Sequence, residues 1–209
     1  MSDEPAMKPT SDFRFLLAEY VRSQALPVDK FGHQPRLYAL TQLVGKGLSY
    51  DDDVVYAAAW LHDLGVFIGH RPEDPAALSV WDNVRHAMEQ APAVLRRCGF
   101  PTTKVAAVVE SIRTHQPQNT PLNLEATIVR DADILEQLGA IGITRTLAKL
   151  GSDTRFHTFS DALRALRTHV SSLPDKLILA PSKALASPRI QIMQAFLAAL
   201  ESEAGQNLY

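Results

Sequence analysis

The sequence predicts an all-α fold in a single domain, and three observations carry that reading. Apolar residues recur at helical spacing through nearly the whole chain. No stretch alternates apolar with polar residues as a half-buried strand would. The 209 residues are 46% hydrophobic and 21% charged, ordinary globular usage that excludes a disordered or collagen-like chain and suits one domain or two small ones.

The elements follow in order. Ser11-Asp12 is a helix start, and the helix runs to about Ser23 with Phe15, Leu16, Ala18 and Tyr20 as packing residues. Leu26-Pro27 breaks it. A second helix spans about Gly32 to Lys46 and stops near Gly45 and Gly47. Asp51, Asp52 and Asp53 stand where acidic side chains favour a helix N-terminus. The segment VVYAAAWLHDLG is apolar nearly all round, so it belongs at the centre of the domain, and Gly65 ends it. Residues 69–80 read as a loop. Trp81 to Arg97 is helical after its start, with Pro92 as a kink or break. A helix capped by Thr102 or Thr103 runs to about His115, and Pro117 and Pro121 bracket the next loop. Leu124 to about Leu150 reads as one long helix bent at Gly139 and Gly142. Helices over about Ser160–Leu173 and Pro188–Glu203 close the chain. One domain over 1–209 results, with a core of about 12–150 and C-terminal helices over about 158–204.

Charge and cysteine content exclude several functions. Lys and Arg number 21 against 23 Asp and Glu, a net charge of −2, so there is no basic excess for a nucleic-acid polymer or an anionic membrane surface. An anionic partner must be held by a few local cations or a metal. Cys98 is the only cysteine, which rules out an internal disulfide and a four-thiolate zinc site. No apolar run approaches the roughly 18–20 residues of a membrane span. The start MSDEPAMKPTSD lacks the apolar stretch of a secretory signal. A reducing cytoplasm is the expected compartment, and a homodimer is left open.

The seven histidines carry the chemistry. His62-Asp63 is the most suggestive pair. Adjacent residues inside a helix point about 100° apart, but at a helix end the backbone can turn both toward one ion. Imidazole and carboxylate together suit manganese, iron, nickel, cobalt or zinc. The plainer alternative has His62 favouring the helix dipole and Asp63 facing water. His115 continues the apolar face of Val108 and Ile112 inward. His33 opens its helix, with Arg36 one turn on. Asp131 and Asp133 interrupt an apolar stretch, and whichever points inward needs a cation, because an unpaired buried carboxylate costs several kcal/mol. Periodicity does not choose between them.

HQPRL at His33, AAAWLHDLG at His62-Asp63 and VRDADILEQLGAIGITR around Asp133 together resemble the HD-domain superfamily, whose metal-ligand order is His, His-Asp, Asp. Glu125 to Arg145 is similar in particular to a segment of the bacterial HD-domain phosphohydrolases that include nucleotide pyrophosphohydrolases. LRTHVSSLPDKL and LASPRIQIMQAFLAALESEA echo their final helices. The resemblance implies a divalent metal on His33, His62, Asp63 and Asp133, with His62 and Asp63 indispensable for catalysis. It leaves Asp131 as a partner that holds a ligating imidazole in one tautomer. His86 and His115 resemble the extra histidines of two-metal branches, as second-metal ligands or substrate contacts. Many relatives carry Arg or Lys after the last aspartate; this chain has Ile134, which shifts anion binding to Arg36, Arg71, Arg85 or Arg130. Arg36 is the candidate phosphate clamp.

The implied function is metal-dependent hydrolysis of a phosphate ester or anhydride of a small molecule, a nucleotide above all. A mixed-valent di-iron oxygenase acting on an organophosphonate or polyol is the first alternative. A nucleotide-binding protein with little turnover is the second. His70, His157 and His169 are expected to be peripheral, and Trp60, Trp81 and Cys98 to be packing residues.

Overall fold

A computed structural model describes residues 12–151, 156–205 and 207 of the chain. Ten α-helices make up the described fold. Among the described residues the sole β feature is an isolated bridge between Ile68 and Arg71, so the all-α expectation holds. No helix among them is long and apolar enough to cross a membrane.

Helix α1 (Phe13–Gln24) is capped by Asp12, whose carboxylate accepts the Arg14 amide at 3.1 Å. This is the expected start; Ser11 lies outside the described residues. Helix α2 (His33–Val44) follows a 3-10 turn, Val28–Gly32. Helix α3 (Asp52–Leu61) begins at the cap Asp51, with Asp52 and Asp53 in its first turn, and buries every residue from Val54 to Leu61. A helix apolar on all sides must lie inside, and α3 packs against α1, α2, α5 (Asn83–Arg97), α6 (Val105–Thr114) and α7 (Leu124–Glu136). Cutting Leu61 or Ile128, both fully buried, back to Ala costs about 2–5 kcal/mol through lost contacts and the cavity left behind.

Several boundaries differ from the sequence reading, each for a physical reason. The loop 69–80 contains a short helix, α4 (Pro75–Ser79), seated on the Asp74 carboxylate that accepts the Ala77 amide. Pro92 sits inside an unbroken α5, because the tertiary packing of this amphipathic helix outweighs one lost hydrogen bond. Thr102 and Thr103 belong to a 3-10 turn before α6 rather than to its cap.

The long helix expected over 124–150 is two: α7 ends at Glu136 and α8 (Gly139–Leu147) begins after Leu138. Gly139 takes φ +73°, a left-handed conformation open to glycine, and a Cβ there would meet the Arg189 side chain at 2.9 Å. Helix α9 (Phe159–Ser172) starts at a capping box between Thr158 and Asp161. The last helix, α10 (Ala180–Ala204), starts eight residues before the expected Pro188 and carries that proline inside it. Its packing on α7, α8 and α9 holds it.

Candidate metal centre

His33 is the first residue of α2, and His62 is the C-cap of α3. Asp63, at φ −100° and ψ 14°, has already left the helix. The end of α3 thus turns two adjacent side chains toward one point, as the sequence suggested. A close fit keeps this turn in place: a Cβ on Gly65 would stand 2.4 Å from the Asn83 carbonyl oxygen at the start of α5, and the Trp81 indole donates to the Gly65 carbonyl at 2.8 Å. Asp133 comes from the last turns of α7, and His115 caps the C-terminus of α6.

These side chains converge. The Nε2 atoms of His33 and His62 face each other at 3.1 Å. His33 Nε2 lies 3.5 Å from Asp63 Oδ2 and 3.5 Å from Asp133 Oδ1, and His62 Nε2 lies 3.5 Å from Asp63 Oδ2. Donor atoms of His33, His62 and Asp133 lie within 4.8 Å of one another, as do those of His62, Asp63 and His115. The three imidazoles are buried, while Asp63 and Asp133 stay 22% and 13% exposed, so the carboxylates mark the open side.

The outer nitrogens show what the inner ones can do. His62 Nδ1 donates to the Ala59 carbonyl at 3.0 Å, and His115 Nδ1 donates to the Ile112 carbonyl at 2.7 Å. His33 Nδ1 stands 3.1 Å from Glu136 Oε2, to which it can donate, and 3.1 Å from Arg145 Nη1, which binds the same carboxylate oxygen. The His62 and His115 rings are thereby held with Nε2 free to offer a lone pair, and at His33 the Glu136 carboxylate favours the same tautomer. Two lone pairs cannot face each other at 3.1 Å unless a cation, a proton or a metal ion, lies between them. The titration of His62 expresses that demand: burial works against its charge, but Asp63 and Asp133 raise its pKa to about 9. Asp63 is held well below the carboxylate range, because His62 and His33 outweigh its burial. Burial and the neighbouring His62 push His115 down, toward the neutral form. Nitrogen and carboxylate donors in this number fit a divalent transition metal.

Glu136, which the sequence reading missed, holds the outer side of His33. It is buried; Arg36 Nε donates to its Oε1 at 3.0 Å and Arg145 Nη1 to its Oε2 at 2.6 Å. Burial raises its pKa, but His33 and the two arginines bring it down to about 2. The signal was present: Glu136 stands one turn after Asp133 in an apolar helix, where a carboxylate needs a partner.

Asp131 requires a correction. It holds no imidazole. Its carboxylate accepts the Ile178 amide at 3.1 Å and the Leu179 amide at 2.8 Å, at the N-terminus of α10, and burial pushes its pKa up. Its bearing on α7 sends it to the opposite side from Asp133. His86 also lies apart from the cluster: its Nε2 is 3.0 Å from His70 Nδ1, and the Trp81 ring packs beside it. His70 in turn reaches Gln24 Oε1 at 2.9 Å. Of the four arginines, Arg130 is buried on the Lys176 and Pro117 carbonyls, and Arg85 pairs with Glu89 on the surface. Only Arg36 is bonded into the cluster's surroundings.

A buried imidazole pair with two flanking carboxylates, set on three helices, defines an HD-type metal-dependent hydrolase. The HD domain family matches residues 31–138, just over half of the chain, and the chain belongs to that family. Solved structures share the fold. The Lin1889 protein of Listeria innocua is 21% identical with a TM-score of 0.70, over 95% of this chain and 99% of its own. An HD-superfamily hydrolase of Bacillus thuringiensis is 19% identical with a TM-score of 0.67, over 93% and 97%. YpgQ of Bacillus subtilis, in complex with ADP, is 21% identical with a TM-score of 0.66, over 92% and 98%. No curated protein matches the chain.

Proposed function

We propose that the protein hydrolyses a phosphate ester or anhydride of a small molecule, with a nucleotide as the substrate class, using one divalent ion on His33, His62, Asp63 and Asp133. The single observation behind this reading is the 3.1 Å approach of the His33 and His62 Nε2 atoms, with carboxylate oxygens 3.5 Å away. A divalent ion in such a site polarises a phosphoryl oxygen and lowers the pKa of a water toward about 7 in the best cases.

The chain's own residues do the rest. The buried imidazoles keep water from the inner side, and Asp63 and Asp133 face the opening where a substrate arrives. His115 Nε2 stands beside His62 and Asp63. Its depressed pKa leaves a neutral nitrogen that can take a proton, which suits a general base. Arg36, with its Nε on Glu136 and its guanidinium 43% exposed, is the candidate phosphate clamp, since a planar guanidinium meets two oxygens at once. Ile134 is fully buried and offers nothing to a phosphate. The ADP held by YpgQ of B. subtilis supports the nucleotide class.

The group His62, Asp63 and His115 favours, as a second reading, a two-metal centre of the di-iron oxygenase kind. That reading needs His86 as well, and His86 is bonded to His70 instead. A nucleotide-binding role with little turnover is the remaining alternative.

The test starts with elemental analysis of protein purified without added metal. Phosphate and pyrophosphate release is then followed over a panel of nucleotides with manganese, iron, nickel, cobalt and zinc. About one ion per chain and turnover without oxygen demand support the proposal. Two irons with oxygen consumption would replace it by the oxygenase, and tight nucleotide binding without product release would replace it by the binding role. A His62→Ala protein that kept full metal content and full rate would show the site to be elsewhere.

A further inference from the structure

Three side chains, Glu136, Arg36 and Arg145, meet at the rear of His33. Glu136, the last residue of α7, brings two carboxylate oxygens into a buried space reached by three donors: His33 Nδ1 at 3.1 Å, Arg36 Nε at 3.0 Å and Arg145 Nη1 at 2.6 Å. The partners lie about a hundred residues away in α2 and nine residues on in α8. We infer that Glu136 is a positioning residue for the ion site: it fixes His33 in the tautomer that leaves Nε2 free, and it aims Arg36 beside that ring. The inference rests on the hydrolase reading for the identity of the site, and it adds a role for Glu136 and Arg145 that the reading did not give them.

The chemistry of the acceptor explains why a carboxylate is needed. Three donors share two oxygens, so an acceptor-only group satisfies them all. A ligating imidazole gains basicity when its other N–H faces a carboxylate, and losing such a partner typically costs 10–100-fold in metal affinity. Arg36 and Arg145 also donate to this carboxylate and hold it in place against the His33 ring. Asp133 and Glu136 are three residues apart on one face of α7, so a single helix turn supplies both a candidate ligand and the group that orients another.

A glutamine at this position keeps the volume but not the logic. Its one oxygen can serve Arg36 or the His33 and Arg145 side, and its NH2 then confronts a donor on the other. Where the NH2 faces His33, Nδ1 must accept and the proton moves to Nε2, the atom the ion requires.

The test uses the full chain, stripped with a chelator. Nitrogen-15 NMR of the metal-free protein reads the His33 tautomer directly. Titration calorimetry with Mn2+ reads affinity, and circular dichroism with thermal melting reads the fold. For Glu136→Gln we expect a gain of the Nε2–H form of His33, Mn2+ affinity lowered 10–100-fold, and turnover recovered by excess Mn2+. Asp133→Asn should not recover in that way. Glu136→Asp should restore part of the affinity, and it serves as the working variant should the glutamine protein be unfolded. An unchanged tautomer with unchanged Mn2+ affinity in a folded variant would overturn the inference and leave Glu136 a purely structural anion. Failure of the wild type to bind any ion would overturn the hydrolase reading instead, while the tautomer measurement would still judge Glu136.

Discussion

Asp131 and Asp133 lie two residues apart on α7 and serve different ends of the molecule. Asp131 is fully buried and accepts the amides of Ile178 and Leu179, tying α7 to the start of α10. Asp133 keeps 13% exposure and stands 3.5 Å from His33 Nε2. The two substitutions should therefore separate. Asp131→Asn replaces charge-assisted bonds by neutral ones and should cost about 2–3 kcal/mol of stability, with ion content kept; thermal melting and elemental analysis read both. Asp133→Asn should keep its melting temperature in the absence of metal and lose ion binding and turnover.

Arg36→Ala should raise KM for a phosphorylated substrate about 10–100-fold, the worth of one or two hydrogen bonds to a charged group. Steady-state kinetics at saturating ion check this. An unchanged KM would remove Arg36 from substrate binding and leave it as a prop for Glu136.

His86 lies with His70, Trp81 and Gln24 rather than with the ion-site cluster. Its replacement by Ala should leave the number of ions per chain unchanged, as read by elemental analysis. Loss of an ion would bring the two-metal reading back.

The first turn of α3 makes a pH-dependent contribution to stability. Hydrogen bonds from Arg14 and Lys104, at 2.8 and 2.9 Å, hold the Asp53 pKa below its usual 3.8. Asp52 is lowered too: its burial is outweighed by Gln42, Tyr38 and Arg14. A carboxylate depressed on folding stabilises the protein above its unfolded pKa, and that stability is lost as pH falls through the folded value. Asp53→Asn should thus lower stability by about 1 kcal/mol at neutral pH. The gap from wild type should close below about pH 3.8, as thermal melts across an acid series would show.

Much of this protein was legible in the chain itself. Periodicity and helix starts are local, so the helical class, the buried α3 and the helix starts at Ser11-Asp12 and at Asp51 to Asp53 could be read from neighbouring residues, while the structure singled out Asp12 and Asp51 as the caps. The convergence of His62 and Asp63 was legible for the same reason, since a helix end lies within a few residues of both. The break between α7 and α8 was half visible in Gly139, but its location depended on the left-handed turn and on Arg189 of α10 packing over it.

Only the tertiary structure decided which way each inward carboxylate pointed and what met it. Asp131 and Asp133 are alike in sequence and differ by their bearing around α7, which matters only once α10 and α2 have taken their places. Glu136 and His33 are 103 residues apart, and His86 finds His70 across a turn that no periodicity describes. A side chain's partner over such distances is set by how helices pack, and packing is a property of the whole folded chain rather than of any stretch of it.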